Sequence, residues 1–189
     1  PSDSLDMTLV VNGIPVATAE LKNPLTHQTV EKAMAQYRTD RNPSDLIFRS
    51  RTLVHFAVDP HRVAMTTKLA REATVFLPFD QGSNGAGNTG TAGNPAVTTG
   101  YQTAYLWEQV WQRDAWLDLL GSFIHVEGDK TLFPRFHQWH AVRSILEATY
   151  RDGAGVDRLV QHSAGSGKSN TIAWTAHALS RLHGADDAP

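Results

Sequence analysis

The chain has 189 residues, of which 41% are hydrophobic and 19% charged, and its formal net charge is −2. This composition supplies enough apolar side chains for one medium-sized domain or two partial ones. The sequence has no run of about 18 apolar residues, which excludes a membrane-spanning helix. It also has no cysteine, which excludes disulfides and thiolate metal sites. The near-neutral charge argues against a wholly basic nucleic-acid coat.

The first predicted element is a β-hairpin, whose strands DMTLVV and IPVATAELK flank the turn signal Asn12-Gly13. Most apolar residues of the two strands share one parity, which predicts the core face. The other parity carries Asp6, Glu20 and Lys22 and predicts that all three lie on the face away from the core.

The length of the turn decides whether the two carboxylates face each other. A two-residue turn places Asp6 opposite Ala19, whereas a three-residue or bulged turn pairs Asp6 with Glu20 and Val10 with Val16. Directly opposed residues have Cβ atoms roughly 5 Å apart, so two carboxylates in that register can share one cation. Opposed like charges are otherwise destabilising, so we expect a three-residue or bulged turn with Mg²⁺ between Asp6 and Glu20.

A cation held by two carboxylates beside a lysine is suited to phosphodiester hydrolysis. Such a cation lowers the pKa of bound water and neutralises developing charge on phosphate. The adjacent Lys22 would stabilise the extra negative charge of the transition state. The alternative is an exposed strand end with ordinary surface charges.

The next elements follow from hydrophobic spacing and breaker residues. Apolar residues at helical spacing predict a helix from Thr26 to Arg41, which Pro43 ends. The stretch 80–100 is rich in Gly, Asn and Thr and predicts a mobile loop too poor in apolar residues to pack. The remaining predicted elements are strands in DLIF, LVHFAVD, RVAMTT and RLVQH, and helices over Tyr105–Ile124, Arg135–Tyr150 and Asn170–Leu182.

The sequence QHSAGSGKS, between a predicted strand and a predicted helix, is typical of a P-loop. The backbone amides of such a turn cradle phosphates at the helix N-terminus. The strict pattern has glycine at position 162, where this chain has His162, and a glycine-rich turn that contains Lys-Ser by chance is the alternative. The predicted ATP contacts are Ala164, Gly165, Ser166, Gly167, Lys168 and Ser169, with the Ser169 hydroxyl as a ligand of Mg²⁺.

Upstream of the P-loop, the segment PRFHQWHAV resembles the Q motif of superfamily 2 helicases, in which a glutamine with basic and aromatic neighbours reads adenine. The resemblance implies that Gln138 and Arg135 contact the nucleotide. His137 and His140 have no third ligand nearby in the sequence, so ordinary packing or surface histidines are favoured over a metal site.

The spacing D-x13-E-x-K that ends at Lys22 resembles the PD-(D/E)xK nuclease superfamily. The resemblance implies that Asp6, Glu20 and Lys22 are catalytic and that the two carboxylates bind the metal. In the branch that is fused to DNA motors, a helix after this strand carries a glutamine and a tyrosine near the site, and Gln36-Tyr37 is the matching position. Gln36 is the preferred candidate because Tyr37 also fits the helix core.

Taken together, AELKNP, LVHFAVD and QHSAGSGKS resemble the motor (R) subunit of type I restriction enzymes. The resemblance implies a type I site-specific deoxyribonuclease of the bacterial or archaeal cytoplasm. Such an enzyme translocates double-stranded DNA with ATP, cleaves it with Mg²⁺, and acts with methyltransferase (M) and specificity (S) subunits and without a membrane. A DNA repair or recombination helicase-nuclease is the alternative.

The implied fold is mixed α/β. Residues 1–112 would form a partial PD-(D/E)xK nuclease sheet with helices, including the loop 80–100. Residues 113–189 would begin a RecA-like, parallel-sheet motor domain. The first residue is Pro1, and after Lys168 no Asp-Glu pair follows an apolar strand. We therefore expect a piece of a longer subunit that binds nucleotide or DNA without turning ATP over.

Overall fold

A computed structural model describes residues 4–23, 25 and 28–182. Its main sheet has five strands in the order β1-β2-β3-β4-β5, in which β2 and β3 are parallel and the other neighbours antiparallel. The strands are β1 (Met7–Val11), β2 (Ile14–Leu21), β3 (Val54–Val58), β4 (Val63–Thr66) and β5 (Leu77–Pro78), and a separate hairpin comprises β6 (His125–Glu127) and β7 (Lys130–Leu132).

Helical segments surround this sheet and connect its strands. The α-helices in the described part of the chain are α1 (Val30–Thr39), α2 (Arg113–Asp118), α3 (Phe136–Asp152) and α4 (Lys168–Leu179). Short π-helical segments occupy Ile47–Arg51, Leu106–Val110 and Leu119–Phe123. No helix within the described ranges is both long enough and apolar enough to cross a membrane.

The first hairpin combines a tight turn with a bulge. Asn12 and Gly13 have φ values of 50° and 82° and form a two-residue turn, so of the two predicted forms, a three-residue or a bulged turn, the bulged one is confirmed. Leu9 pairs with Ala17 but Val10 pairs with Pro15, which leaves Val16 as an extra residue in β2 and contradicts the predicted pair of Val10 with Val16. The bulge changes the register by one residue.

Beyond the bulge, the ladder runs in the register that the carboxylate hypothesis needs. Thr8 pairs with Thr18 and Met7 with Ala19, so the continuation of the two strands brings Asp6 level with Glu20. A two-residue turn without the bulge would have placed Asp6 opposite Ala19. The pairing therefore depends on an irregularity inside β2 and not on the length of the turn.

Both faces of the sheet are buried along the central strands β2, β3 and β4. One face, with Ala17, Ala19 and Phe56, belongs to the main hydrophobic cluster, as the strand parity predicts. The opposite face was expected to lie away from the core, but α1 packs on it and leaves Thr18 and Glu20 almost fully buried. The reason is the parallel β2–α1–β3 crossover, which places a helix over the polar parity of β2.

Several predicted elements are confirmed, and others differ in extent. The strands in LVHFAVD and RVAMTT form β3 and β4, and α3 lies within two residues of its predicted bounds. The helix α4 starts two residues earlier than expected, and the predicted start of α1 at Thr26 lies outside the described residues. The predicted helix over Tyr105–Ile124 is broken at Gln112, whose ψ of 143° is extended.

Two predicted strands are wrong. The segment DLIF enters a π-helical segment, because the carbonyl of Asp45 accepts hydrogen bonds from the amides of Phe48 and Arg49. The segment RLVQH has no regular secondary structure and pairs with no strand in the described part of the chain, and Leu159 is 93% exposed. The mixed α/β sheet is thus confirmed, whereas the described residues do not form a RecA-like parallel sheet.

The glycine-rich loop 80–100 is tied to the fold, contrary to the expectation that it cannot pack. The amide of Gly82 donates to the carbonyl of Gly93 at 2.7 Å, which closes the loop on itself. The side chain of Asn94 accepts from the amide of Gln81 and donates to Asp80, each at 2.8 to 2.9 Å. Backbone and amide hydrogen bonds replace the apolar contacts that the loop lacks.

One hydrophobic cluster joins the sheet to the later helices. It includes Phe56 of β3, Trp116 of α2, Trp139 of α3 and Trp174 of α4. The aromatic rings of Phe56 and Trp116 lie 6.4 Å apart between centroids. Residues on both sides of the predicted boundary after residue 112 therefore share a core, while the division into a nuclease and a motor domain stays a prediction.

Candidate functional site

The predicted carboxylate pair lies where β1 begins and β2 ends. Glu20 is fully buried on the α1 face of the sheet, and its neighbour Leu21 donates its amide to Oδ2 of Asp6 at 2.8 Å. This hydrogen bond holds the Asp6 side chain at the end of β2, next to Glu20. The positions of both acids are thus set by the pairing of β1 with β2 and by a hydrogen bond from the backbone of β2 to Asp6.

Arg41 is the direct partner of Glu20, and the sequence analysis did not assign it to the site. Its Nε and Nη2 atoms donate to Oε1 of Glu20 at 2.8 and 2.5 Å, and Nη2 also donates to the carbonyl of Ser4 at 2.7 Å. Both side chains of this ion pair are buried, with 4% and 0% exposure. A signal was present, because position 41 follows Tyr37 by four residues and extends the buried face of α1.

The surroundings of Glu20 favour an additional positive charge. Burial raises the pKa of Glu20 to about 7, the hydrogen bond and charge of Arg41 oppose that shift, and the nearby carboxylate of Asp6 adds to it. Oε2 of Glu20 is buried and has no hydrogen-bond partner. A buried, unsatisfied carboxylate oxygen next to a second acid fits a divalent cation.

The cation would need further ligands from elsewhere. Among residues 4–23, 25 and 28–182, no group of three or more His, Asp or Glu side chains is arranged to hold a metal ion. Mg²⁺ usually keeps several waters and binds through one or two carboxylates plus phosphate oxygens. Asp6 and Glu20 therefore match the one or two carboxylates that a protein supplies to such a site.

Lys22 and Gln36 lie together beside the carboxylates. The Nζ of Lys22 donates to Oε1 of Gln36, which joins the end of β2 to α1. The two side chains line a small surface cavity of about 250 Å³, together with Lys32 and Asp40. Of the adjacent residues Gln36 and Tyr37 in α1, Gln36 is thus the one that contacts Lys22.

Tyr37 points into a buried polar chain under the sheet. Its hydroxyl lies 2.8 Å from Oγ1 of Thr18, which in turn lies 2.8 Å from Nδ1 of His55. Burial lowers the pKa of His55 to about 4 and raises the pKa of Tyr37, so both groups are neutral near pH 7. These hydrogen bonds connect α1 to β2 and β3 directly beneath Glu20.

The predicted P-loop adopts a glycine-rich turn at the N-terminus of α4. Gly165 and Gly167 have φ values of 70° and 83°, and Lys168 is the first helical residue. The Nζ of Lys168 donates to the carbonyls of Ser163 and His162 at 2.9 and 3.4 Å, so the lysine spans its own loop. The other predicted ATP contacts, Ala164, Gly165, Gly167 and Ser169, are exposed, whereas Ser166 is buried.

Gln138 and His137 connect α3 to this loop. Oε1 of Gln138 accepts from the amide of Arg135 at 2.9 Å, and its Nε2 donates to the carbonyl of Gly167 at 2.9 Å. Nε2 of His137 donates to the carbonyl of Ser166 at 3.0 Å. The structure thus brings the residues of the predicted Q motif against the predicted P-loop. Both polar atoms of the Gln138 side-chain amide form hydrogen bonds with the protein backbone.

Comparison with known proteins gives a family match for the first part of the chain. Residues 2–74 match a family model described as type I restriction enzyme R protein N terminus. The match includes the carboxylates, Lys22, the helix α1 and strands β1 to β4, and it ends before the glycine-rich loop and the P-loop. None of the curated proteins compared with the chain matches it significantly.

Proposed function

We propose, from the match of residues 2–74 to the family model of the type I restriction enzyme R protein N terminus, that this chain cleaves double-stranded DNA with Mg²⁺. The observation that carries the proposal is the buried carboxylate of Glu20, which has one oxygen on Arg41 and the other unsatisfied. Asp6 lies beside it at the end of β2. An ordinary exposed strand end would leave these charges in water and would need no buried counter-ion.

Each side chain has a role that fits phosphodiester hydrolysis. A divalent cation at Asp6 and Glu20 would supply an activated water and neutralise charge on the scissile phosphate. Lys22 would donate hydrogen bonds to the phosphate oxygens as they gain negative charge. Gln36 holds the Lys22 ammonium in place, and Arg41 orients Glu20 through its Oε1. Gln36 and Arg41 would act as positioning residues.

The direct test is Mg²⁺-dependent cleavage of a linear DNA duplex by the chain and by two variants. Glu20→Gln and Lys22→Met should each slow cleavage by about a hundredfold or more, because each removes a few kcal/mol of charge stabilisation. Matched controls are Glu72→Gln and Lys130→Met, which change the same chemical groups at exposed positions. Cleavage by Lys22→Met at the rate of the unsubstituted chain would refute the assignment.

We propose a second activity, the binding of ATP at residues 164–169. The supporting observation is the pair of left-handed glycines that ends at the first residue of α4, where backbone amides and the helix dipole favour phosphate. Lys168 would leave the carbonyls of its own loop to contact the phosphates, and the Ser169 hydroxyl would face Mg²⁺. In a complete restriction enzyme, we propose that ATP binding at this site drives DNA translocation. The chain would then act together with methyltransferase and specificity subunits.

A further inference from the structure

The two oxygens of the Glu20 carboxylate have different surroundings. Oε1 accepts two hydrogen bonds, from Nε and Nη2 of Arg41 at 2.8 and 2.5 Å. Oε2 is buried and has no hydrogen-bond partner. Because a carboxylate has about two acceptor positions on each oxygen, Arg41 fills both positions of Oε1. Of the two oxygens, Oε2 is therefore the one left for a cation.

Arg41 is held in this place by a further contact. Its Nη2 also donates to the carbonyl of Ser4 at 2.7 Å, two residues before Asp6. The guanidinium thus joins Glu20 of β2 to the segment that leads into β1, and the Arg41 side chain is only 4% exposed. Displacement of Arg41 by an entering cation would break the contacts to Ser4 and Glu20 together and leave a buried charge without its partner. Arg41 is therefore a permanent part of the carboxylate site.

Asp6 is restrained in a similar way by the backbone. Its Oδ2 accepts a hydrogen bond from the amide of Leu21 at 2.8 Å. Each of the two carboxylates thus has one oxygen that the protein itself engages. Oδ1 of Asp6 and Oε2 of Glu20 remain for the proposed cation, so the pair offers two ligands of one oxygen each.

The number of ligand oxygens separates the two common hard cations. Mg²⁺ demands near-ideal octahedral geometry, keeps several waters and needs only one or two carboxylates. Ca²⁺ takes about six to eight oxygens at longer distances, and a carboxylate that binds through both of its oxygens is a common ligand. Glu20 cannot bind in that way while Arg41 fills Oε1, and the positive charge of Arg41 also repels a cation from that oxygen.

We propose that Arg41 makes the carboxylate site selective for Mg²⁺ over Ca²⁺, because it restricts Glu20 to one ligand oxygen. The inference rests on the proposed cation at Asp6 and Glu20 and adds the residue that selects this cation. In a chain without Arg41, both oxygens of Glu20 would be open to one cation, and Ca²⁺ would gain a ligand that Mg²⁺ does not need. This role concerns the ratio of two affinities and is separate from the contribution of Arg41 to stability.

The test uses Mn²⁺ as a probe in the absence of DNA, because electron paramagnetic resonance counts the free ion directly. Mg²⁺ and Ca²⁺ are titrated separately against Mn²⁺ bound to the chain, and the ratio of their displacing concentrations measures the selectivity. We expect the unsubstituted chain to release Mn²⁺ at a lower concentration of Mg²⁺ than of Ca²⁺. Arg41→Met should shift this ratio by at least about tenfold toward Ca²⁺. The loss of positive charge favours both cations alike, so it cancels in the ratio.

Two variants control the measurement. Arg41→Lys retains a positive charge and a donor for Oε1, so its preference for Mg²⁺ should stay within about threefold of that of the unsubstituted chain. Lys68→Met removes a cation elsewhere, at a side chain that is 66% exposed, and should leave both displacements unchanged. Circular dichroism checks that each variant is folded at the temperature of the titration.

Infrared difference spectroscopy gives a second reading on the unsubstituted chain, which does not depend on the folding of Arg41→Met. The antisymmetric and symmetric stretches of a carboxylate lie closer together when both oxygens bind one cation than when a single oxygen does. With Mg²⁺ bound, Glu20 should show the wide separation of single-oxygen binding. A narrow separation that disappears in Glu20→Gln would overturn the inference.

The outcomes separate the two proposals. If Asp6→Asn and Glu20→Gln bind Mn²⁺ as tightly as the unsubstituted chain, the two carboxylates hold no cation, and the proposed cleavage site and the inference fail together. If both variants lose Mn²⁺ but Arg41→Met changes the displacement by Mg²⁺ and by Ca²⁺ by the same factor, Arg41 is only structural and the inference alone is refuted.

Discussion

The carboxylate site and the P-loop are both formed by a short segment next to a helix, yet they differ in how the rest of the chain surrounds them. Around Glu20, the strands β1 and β3 and the helix α1 leave the side chain fully buried, and Arg41 pairs with one of its two carboxylate oxygens. Around the P-loop, most residues are exposed, and the segment before it pairs with no strand of the described chain. The contrast teaches that the first site is stabilised by burial and ion pairing, whereas the second depends on a few hydrogen bonds to α3.

The largest expected effect is that of removing the buried counter-ion. Arg41→Met leaves the Glu20 carboxylate buried without its partner, and we expect a loss of about 3 kcal/mol in unfolding free energy at pH 8, measured with urea. The loss should shrink at pH 5, because the raised pKa of Glu20, about 7, lets that carboxyl bind a proton and become neutral.

Two variants control this prediction. In a Glu20→Gln background, Arg41→Met should cost much less, because no buried charge is left without a partner. Lys68→Met removes an exposed ion pair with Asp129, in which the side chains are 66% and 79% exposed, and should change stability by less than about 1 kcal/mol. Equal costs for Arg41→Met and Lys68→Met would contradict the role of burial in the contrast between the two regions.

A similar or slightly smaller effect concerns the buried polar chain under the carboxylates. Burial lowers the pKa of His55 from 6.5 to about 4, so between these values the unfolded chain binds a proton that the folded protein excludes. The stability from His55 is therefore complete above pH 6.5 and is lost as the pH falls toward 4. The shift corresponds to about 3 kcal/mol between pH 7 and pH 4.

The measurement is the pH dependence of unfolding free energy for the unsubstituted chain and for His55→Gln. Glutamine keeps a polar group near Thr18 but does not titrate, so the difference between the two curves isolates the histidine. The raised pKa of Glu20 acts in the opposite direction, since its folded form retains a proton, but it cancels in the difference. Parallel curves for the two proteins would show that His55 is not excluded from protonation.

The smallest effect is expected beside the P-loop. Leu159→Ser should change unfolding free energy by no more than about 0.5 kcal/mol, because the side chain is almost wholly exposed. Val54→Ala, in the fully buried strand β3, is the reference and should cost at least about 1 kcal/mol. A cost for Leu159→Ser as large as that for Val54→Ala would mean that this segment is packed as a strand after all.

Local patterns in the sequence predicted much of the first region. The alternation of apolar residues gave the faces of β1 and β2, and the apolar runs gave β3 and β4. The need for a three-residue or bulged turn was predictable, but the position of the bulge at Val16 was not, because an extra residue in a strand has no characteristic composition and depends on pairing with its neighbour. Burial of Glu20 also depends on tertiary structure, since only the crossover of α1 covers that face.

Around the P-loop, the motif QHSAGSGKS predicted the local structure better than the predicted strand before it did. The glycines and Lys168 of the P-loop sequence are arranged at the start of α4, as the spacing predicts. RLVQH has strand propensity, but a strand needs a partner for its backbone hydrogen bonds, and propensity alone does not supply one. The order of the glycine-rich loop was not predicted, because apolar content does not report the hydrogen bonds that the Asn94 side chain and the backbone make.

The bulge at Val16 also bears on which changes of length the hairpin can absorb. Deletion of Val16 would remove the bulge and keep Asp6 opposite Glu20, because the pairs Val10–Pro15 and Leu9–Ala17 would become consecutive pairs of a regular ladder. Loss of the bulge with Val16 retained would instead move Asp6 opposite Ala19. The hairpin is therefore expected to tolerate the loss of this extra residue, whereas a change that forces Val16 into the ladder would separate the two carboxylates.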